Sequence, residues 1–225
     1  MLRFQADRFD RTAAPDYAAP MLHDPDAFKL AIDSLGQAAP PFAALVERSG
    51  YPAPRVQGRG YQTLLRTIVG QQVSVATAAS VWSKLEALLG PGCPPEALLA
   101  REAEELRACG LSRQKQGYAR SLAELVCDGA IDLEALPADD ESAIAELVRI
   151  KGIGRWSAEI YLLFAEGRHD VFPAGDLAVQ IEAGRLFGLG ERPSEREVRA
   201  LAEGWRPWRG AASILLWHSY NSSVL

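Results

Sequence analysis

Leu147-Val148-Arg149-Ile150-Lys151-Gly152-Ile153-Gly154-Arg155-Trp156-Ser157-Ala158-Glu159-Ile160-Tyr161 is the stretch on which the fold turns. Just upstream, Asp139 and Asp140 are suited to cap a helix that carries Ile144, Leu147 and Val148 on one face and ends at Ile150. A second helix opens near Trp156. Between the two lies a glycine–isoleucine–glycine turn, and glycine lets a backbone bend sharply and approach a ligand closely. The second helix begins with free N–H groups and a positive dipole end, which suits a phosphate. Lys151 and Arg155 place positive charge at the same spot. The turn equally suits an ordinary helical corner whose glycines only terminate a helix.

Outward from this turn the chain reads as mostly helical. A short helical pattern runs from Pro25 to Leu35, and another from Phe42 to Arg48 is punctuated by Pro40, Pro41, Pro52 and Pro54. Arg55–Gly60 reads as a linker. Leu64, Leu65, Ile68, Val69 and Val73 share a helical face. Val81, Trp82, Leu85, Leu88 and Leu89 continue the spacing until Gly90-Pro91-Gly92 stops it. Pro95–Leu99, Glu102–Cys109, Gln114–Cys127 and Ile131–Leu136 follow as short helices or turns. Residues 1–21 contain Pro15 and Pro20 and read as an extended arm. After position 25 no alternation is long enough for a strand of more than a few residues.

The chain has 225 residues, of which 48% are hydrophobic and 24% charged, so a globular core is expected rather than disorder. At this length it forms one large domain or two small lobes. No apolar run approaches the roughly 18 residues of a membrane span, and the N-terminus lacks a signal-peptide core, so the expectation is a soluble, cytoplasmic protein. Cys93, Cys109 and Cys127 are dispersed, as are His23, His169 and His218, which argues against a transition-metal site. The formal net charge of −5 means that any nucleic-acid binding must rest on local clusters. No dinucleotide fingerprint, phosphate loop or nucleophile elbow is present.

The Leu147–Tyr161 stretch resembles the helix–hairpin–helix of the DNA glycosylase superfamily, in which a Gly/Pro-rich loop and a later Asp follow. Phe172-Pro173-Ala174-Gly175-Asp176 supplies that loop, with Asp176 placed 20 residues after Trp156. Gly70-Gln71-Gln72-Val73-Ser74, Gly110-Leu111-Ser112-Arg113-Gln114-Lys115 and Trp205-Arg206-Pro207-Trp208-Arg209 followed by Trp217 complete a set similar to the alkylpurine (3-methyladenine) DNA glycosylase II branch. The resemblance covers residues 22–220. It implies a mostly α fold of two helical lobes with a cleft between them. Residues 22–62 with 170–225 would form the lobe carrying Asp176, and 63–169 the lobe carrying the hairpin. Larger bacterial members place a β-rich domain ahead of the helical ones; this chain is too short for it and is expected to keep at most the arm.

The same resemblance assigns the site. Asp176 is the catalytic carboxylate that stabilises an oxocarbenium-like sugar; taken alone, an Asp there is most often a helix N-cap, and the two roles are compatible. Trp156 stands where strand-cleaving relatives carry the lysine that forms a Schiff base, which implies a monofunctional hydrolase. Trp156, Trp217, His218, Ile160 and Tyr161 match the base pocket, with His218 and Ile160 departing from family tyrosines. An aromatic face suits a cationic alkylated purine. Gln72 aligns with the wedge that fills the gap left by a flipped base. Lys151, Gly152, Gly154 and Arg155 match the DNA-backbone contact, and Arg113, Gln114 and Lys115 lie near the DNA or the lobe junction. Trp205, Trp208 and Arg209 read as structural, the arginine buttressing the Asp176 loop. The backbone carbonyls of Val148, Ile150 and Ile153 match positions that hold an alkali cation in related hairpins. The implied partner is double-stranded DNA carrying alkylated bases, bound by a monomer that needs no cofactor. A non-catalytic helix–hairpin–helix module is disfavoured by Asp176 and the two tryptophans; relatives acting on other damaged or mismatched bases commonly end in a four-cysteine iron–sulfur loop, which three dispersed cysteines do not build.

Overall fold

The computed structural model describes residues 24–55 and 57–222; the N-terminal arm at 1–21 lies outside them. The described residues contain helices and turns and no strand. No helix among them is long and apolar enough to cross a membrane. Contacts divide the chain into two units, Met1–Val56 with Glu166–Leu225, and Gln57–Ala165.

The first unit is built from α1 (Pro25–Ala38), α2 (Pro40–Ser49), α10 (Leu177–Leu186), α11 (Glu195–Ala202), a 3₁₀ turn (Glu203–Trp205) and α12 (Arg209–Ser222). Asp24 caps α1 and Ser194 caps α11, each side chain accepting first-turn N–H groups. α12 packs against α1, α2 and α10. It is apolar almost all round because Ala211, Ala212, Ile214, Leu215 and Leu216 are all buried. Trp205 is the aromatic centre of the unit: it stacks on Phe187 at 5.5 Å and meets the edges of Phe42 and Phe172 at 5.0 and 5.5 Å.

The second unit runs through α3 (Tyr61–Gly70), α4 (Val75–Leu89), α5 (Pro95–Leu99), α6 (Ala103–Ala108), α7 (Arg113–Cys127), α8 (Asp140–Leu147) and α9 (Arg155–Phe164). α7 is its spine, packed by α3, α5 and α6, while α8 lies on α9. Leu64, Leu65, Ile68, Leu85, Leu98, Leu106 and Leu122 are fully buried here. The apolar spacing that runs through Val73 does not mark one continuous helical face. α3 stops at Gly70, and the next residues form an exposed turn in which Gln72 takes φ +55° and Val73 is 40% exposed. Ser74 then caps α4 by accepting the Thr77 N–H. A local cap and a left-handed residue overrode the apolar period.

Candidate functional site

In the second unit, Asp139 caps α8 as the sequence suggests. The turn that follows is fixed by its surroundings. Gly152 has φ +84°, and a Cβ there would lie 2.2 Å from the Tyr118 ring, so no other residue fits without displacing α7. Ser121 Oγ accepts the Lys151 N–H at 3.3 Å, and the Gly152 carbonyl accepts a hydrogen bond from Gln71 Nε2 at 2.8 Å. Gly154 occupies the N-cap of α9 with φ −89° and ψ 174°, open space where a Cβ would stand, and no side chain capping the helix. The first N–H groups of a helix have no intrahelical partner. A glycine cap adds no side chain over them, and Lys151 stands exposed beside them.

Arg155 does not add the open charge expected of it. Its Nε donates to Glu159 Oε1 at 3.0 Å, and its two terminal nitrogens clasp both oxygens of Glu141, one at 2.9 Å. Glu159 is buried, so the arginine neutralises a carboxylate inside the hairpin unit. The hydrogen bond to Glu141 and the charges of both glutamates hold its pKa above the usual arginine value. Lys115 is likewise committed: its Nζ donates to the Val69 carbonyl at the end of α3 at 2.7 Å, and desolvation lowers its pKa. Gln114 donates to the Tyr118 hydroxyl at 2.6 Å, and Arg113 is exposed.

Residues four apart share a helix face, so Trp156 and Ile160 lie together on α9; Trp156 is 46% exposed and Ile160 half-buried. Tyr161 turns elsewhere. It is buried, and its hydroxyl accepts the Gly60 N–H at 2.8 Å. It thus anchors the chain leading into α3, and the base-pocket assignment is corrected for it. Gln72 is exposed at the rim of a polar hollow of about 480 Å³ that Gln71, Ser112, Gln114 and Gly152 also line.

In the first unit, Asp176 caps α10. Its Oδ1 accepts the N–H groups of Ala178 and Val179 at 2.9 and 3.1 Å and the indole N–H of Trp217 at 2.9 Å. The preceding loop is pinned by its own bonds: Ala174 N–H to Phe172 O and Asp176 N–H to Pro173 O, both 2.9 Å, and Gln180 Nε2 to Ala174 O at 2.8 Å. At the start of the loop, Arg209 grips Asp170 through two bonds of 2.9 and 3.0 Å and Glu203 through one of 2.7 Å. This is the buttress the sequence suggested, with Trp205 packing on Phe172 beside it. His218 is half-buried, and as the next residue on α12 it points about 100° away from Trp217. Its Nε2 meets the Ser49 carbonyl at the end of α2, 2.7 Å away.

An alkali ion at the hairpin would have only backbone oxygens to bind, since no cluster of three metal-binding side chains occurs among the described residues. The Ile150 carbonyl already accepts the Ile153 N–H at 3.0 Å, while Val148 is 41% exposed. A carbonyl has a second lone pair, so the Ile150 oxygen keeps one acceptor position beyond that bond.

Three supports of the hairpin were not singled out from sequence. Gln71 lies in a quoted motif but had no role, and Tyr118 and Ser121 sit on α7, far from the turn in sequence. Gln114, Tyr118 and Ser121 place polar groups on α7, three and four residues apart, and that spacing is the signal the sequence offers.

The helical order, the glycine turn and the capped Asp176 together define a helix–hairpin–helix repair protein. Residues 65–207 match the HhH-GPD superfamily of base excision DNA repair proteins, and the chain belongs to that family. It is 34% identical to DNA-3-methyladenine glycosylase 1 of Schizosaccharomyces pombe over 70% of this chain and 71% of the relative. Among solved structures it is similar to a DNA-3-methyladenine glycosidase from Bacillus halodurans, with a TM-score of 0.78 and 30% identity over 86% of this chain and 90% of the other. It is also similar to the S. pombe 3-methyladenine DNA glycosylase solved with abasic DNA, with a TM-score of 0.72 and 30% identity over 87% and 97% of the two chains.

Proposed function

We propose that this protein is a monofunctional DNA glycosylase that flips an alkylated purine out of duplex DNA and hydrolyses its N-glycosidic bond, leaving an abasic site. The observation that carries the reading is Asp176, a carboxylate whose Oδ1 is fixed by three N–H donors at the head of a helix. A cationic alkylated base is already an activated leaving group. What grows as the bond breaks is positive charge on the sugar, and a carboxylate fixed in advance favours that transition state over the ground state. The base departs with the bonding electrons, which neutralise its positive charge; water adds to the sugar carbon and gives up one proton to solvent, and no redox change occurs.

The remaining residues support binding. The N-terminus of α9 at Gly154, where no side chain stands in the way, takes a backbone phosphate together with Lys151 and the Gly152 turn. Gln72 fills the gap left by the flipped base, and the exposed Trp156, with Ile160 on the same face, offers an apolar surface to that base. Trp156 has no amine, so no Schiff base forms at that position. The relatives named for 3-methyladenine support the substrate class. We read the protein as a monomer acting in the cytoplasm.

The test is incubation with methylated duplex DNA and chromatography of what is released. Free 3-methyladenine or 7-methylguanine is expected, with the strand intact until alkali or heat is applied. Borohydride trapping of a covalent protein–DNA adduct would show a lyase instead. Duplex binding without base release would leave a non-catalytic binding module.

A further inference from the structure

We infer that Gln71 is a positioning residue that ties the Gln72 turn to the DNA-gripping hairpin, so that the grip on the backbone sets where the Gln72 side chain enters the duplex. The inference rests on the reading of Gln72 as the gap-filling residue. Gln71 is the C-cap of α3, and its own N–H is spent on the Ile68 carbonyl at 3.3 Å. Its side chain reaches 81 residues along the chain to the Gly152 carbonyl, 2.8 Å away. A carbonyl only accepts, so the Gln71 amide must present its NH₂ there. The bond ends on the glycine that lies against the Tyr118 ring and follows Lys151, whose N–H Ser121 accepts.

The next residue, Gln72, sits at φ +55°, a region costly for a residue with a Cβ. It is exposed, and so is Val73 after it. A strained, solvent-facing turn does not keep its geometry unaided. Lys115 on Val69 and the Ser74 cap hold its two ends, and the Gln71 amide, one residue before the strained position, ties it to the hairpin. With the hairpin seated on phosphate, Gln71 relays its fixed position to Gln72, the next residue in the chain. A glutamine is needed because its length spans the gap and its amide donates; methionine matches the length without a donor, and glutamate matches the shape while setting an oxygen against an oxygen.

The experiment compares wild type, Gln71→Met, Gln71→Glu, Gln72→Ala and the Gln71→Met/Gln72→Ala double variant. Three quantities are read: affinity for undamaged duplex, fluorescence of 2-aminopurine placed next to an abasic site as a reporter of unstacking, and single-turnover release of methylated base. Gln71→Met and Gln71→Glu should bind undamaged duplex within about twofold of wild type, because Tyr118 and Ser121 still hold the hairpin. Both should lose most of the fluorescence rise and slow base release about tenfold, the scale of one lost hydrogen bond. The double variant should be no slower than Gln72→Ala alone, since Gln71 acts only through Gln72. A glutamine that merely packs the turn would instead give losses that add in the double variant, and that result overturns the inference, as does wild-type fluorescence in both single variants. If wild type unstacks 2-aminopurine but releases no methylated base, the proposed activity fails while the fluorescence comparison still decides the role of Gln71.

Discussion

Trp217 and Asp176 stand 41 residues apart in the chain and are joined by an indole N–H···Oδ1 hydrogen bond of 2.9 Å. The nitrogen end of the indole fixes the carboxylate, a role separate from the proposed one of offering its face to a base. Trp217→Phe separates the two roles, because it keeps an aromatic face and deletes the donor. Affinity for damaged duplex should stay within about threefold, whereas single-turnover base release should slow about tenfold, the scale of one hydrogen bond to a charged group. Trp217→Ala should lose stacking as well, on the order of 1–3 kcal/mol, and should weaken binding of cationic bases more than of neutral hypoxanthine. Equal rates for wild type and Trp217→Phe would show that the bond is incidental.

The two glycines of the turn are predicted to behave differently. Gly152→Ala collides with the Tyr118 ring and demands φ +84° of an alanine, so it should destabilise the protein by at least about 1–2 kcal/mol before DNA is considered. It is a poor probe of DNA approach. Gly154 has an ordinary φ of −89° and open space at its Cβ position. Gly154→Ala should melt like wild type yet bind damaged and undamaged duplex more weakly, because the methyl group stands where a phosphate must come close. Normal binding by that variant would reduce the hairpin to a structural corner.

Lys151 and Arg155 flank the same turn but are expected to separate in a salt titration. Lys151 is exposed, and Lys151→Ala should make the slope of log K against log salt shallower by about 0.9, one phosphate contact. The Arg155 guanidinium is held by Glu141 and Glu159, so Arg155→Ala should leave that slope unchanged. It should instead lower the melting temperature, since Glu159 is buried and loses its cation. A slope change in Arg155→Ala with an unaltered melting temperature would reverse the two roles.

Much of this arrangement is legible in the sequence where local physics decides it. Proline and glycine punctuation places α1 and α2, Asp139 announces α8, and the Gly152-Ile153-Gly154 turn announces the entry to α9. The break at Gln72 is not legible, because a non-glycine at positive φ carries no residue signal and Ile68, Val69 and Val73 mimic a continuing helical face. The bond from His218 to the Ser49 carbonyl, 169 residues away, has no local signal. The Arg155–Glu159 pair has the i,i+4 spacing that favours such contacts, but Glu141 approaches from another helix. The bonds from Trp217 to Asp176 and from Gln71 to Gly152 join residues distant in sequence, and only the packed structure brings them together.

The final prediction concerns Asp176 itself. Its Oδ1 caps α10 through Ala178 and Val179 and receives Trp217, so a test of its charge must leave those bonds standing. Asp176→Asn does this: the amide oxygen still accepts all three donors while the negative charge is gone. Asparagine is as good an N-cap as aspartate, so melting should be near wild type. Binding of damaged duplex should also be close to normal, because the carboxylate's contribution is to the charge that develops on the sugar rather than to the ground state. Losing one such preorganised electrostatic contact costs on the order of 10²–10³ in rate in other enzymes, and single-turnover release should fall by at least about a hundredfold. Asp176→Ala, by contrast, should lose both the cap, worth about 1 kcal/mol, and the anchor for Trp217. Base release near the wild-type rate by a folded Asp176→Asn would make Asp176 a helix cap and nothing more, and the proposed mechanism would fall with it.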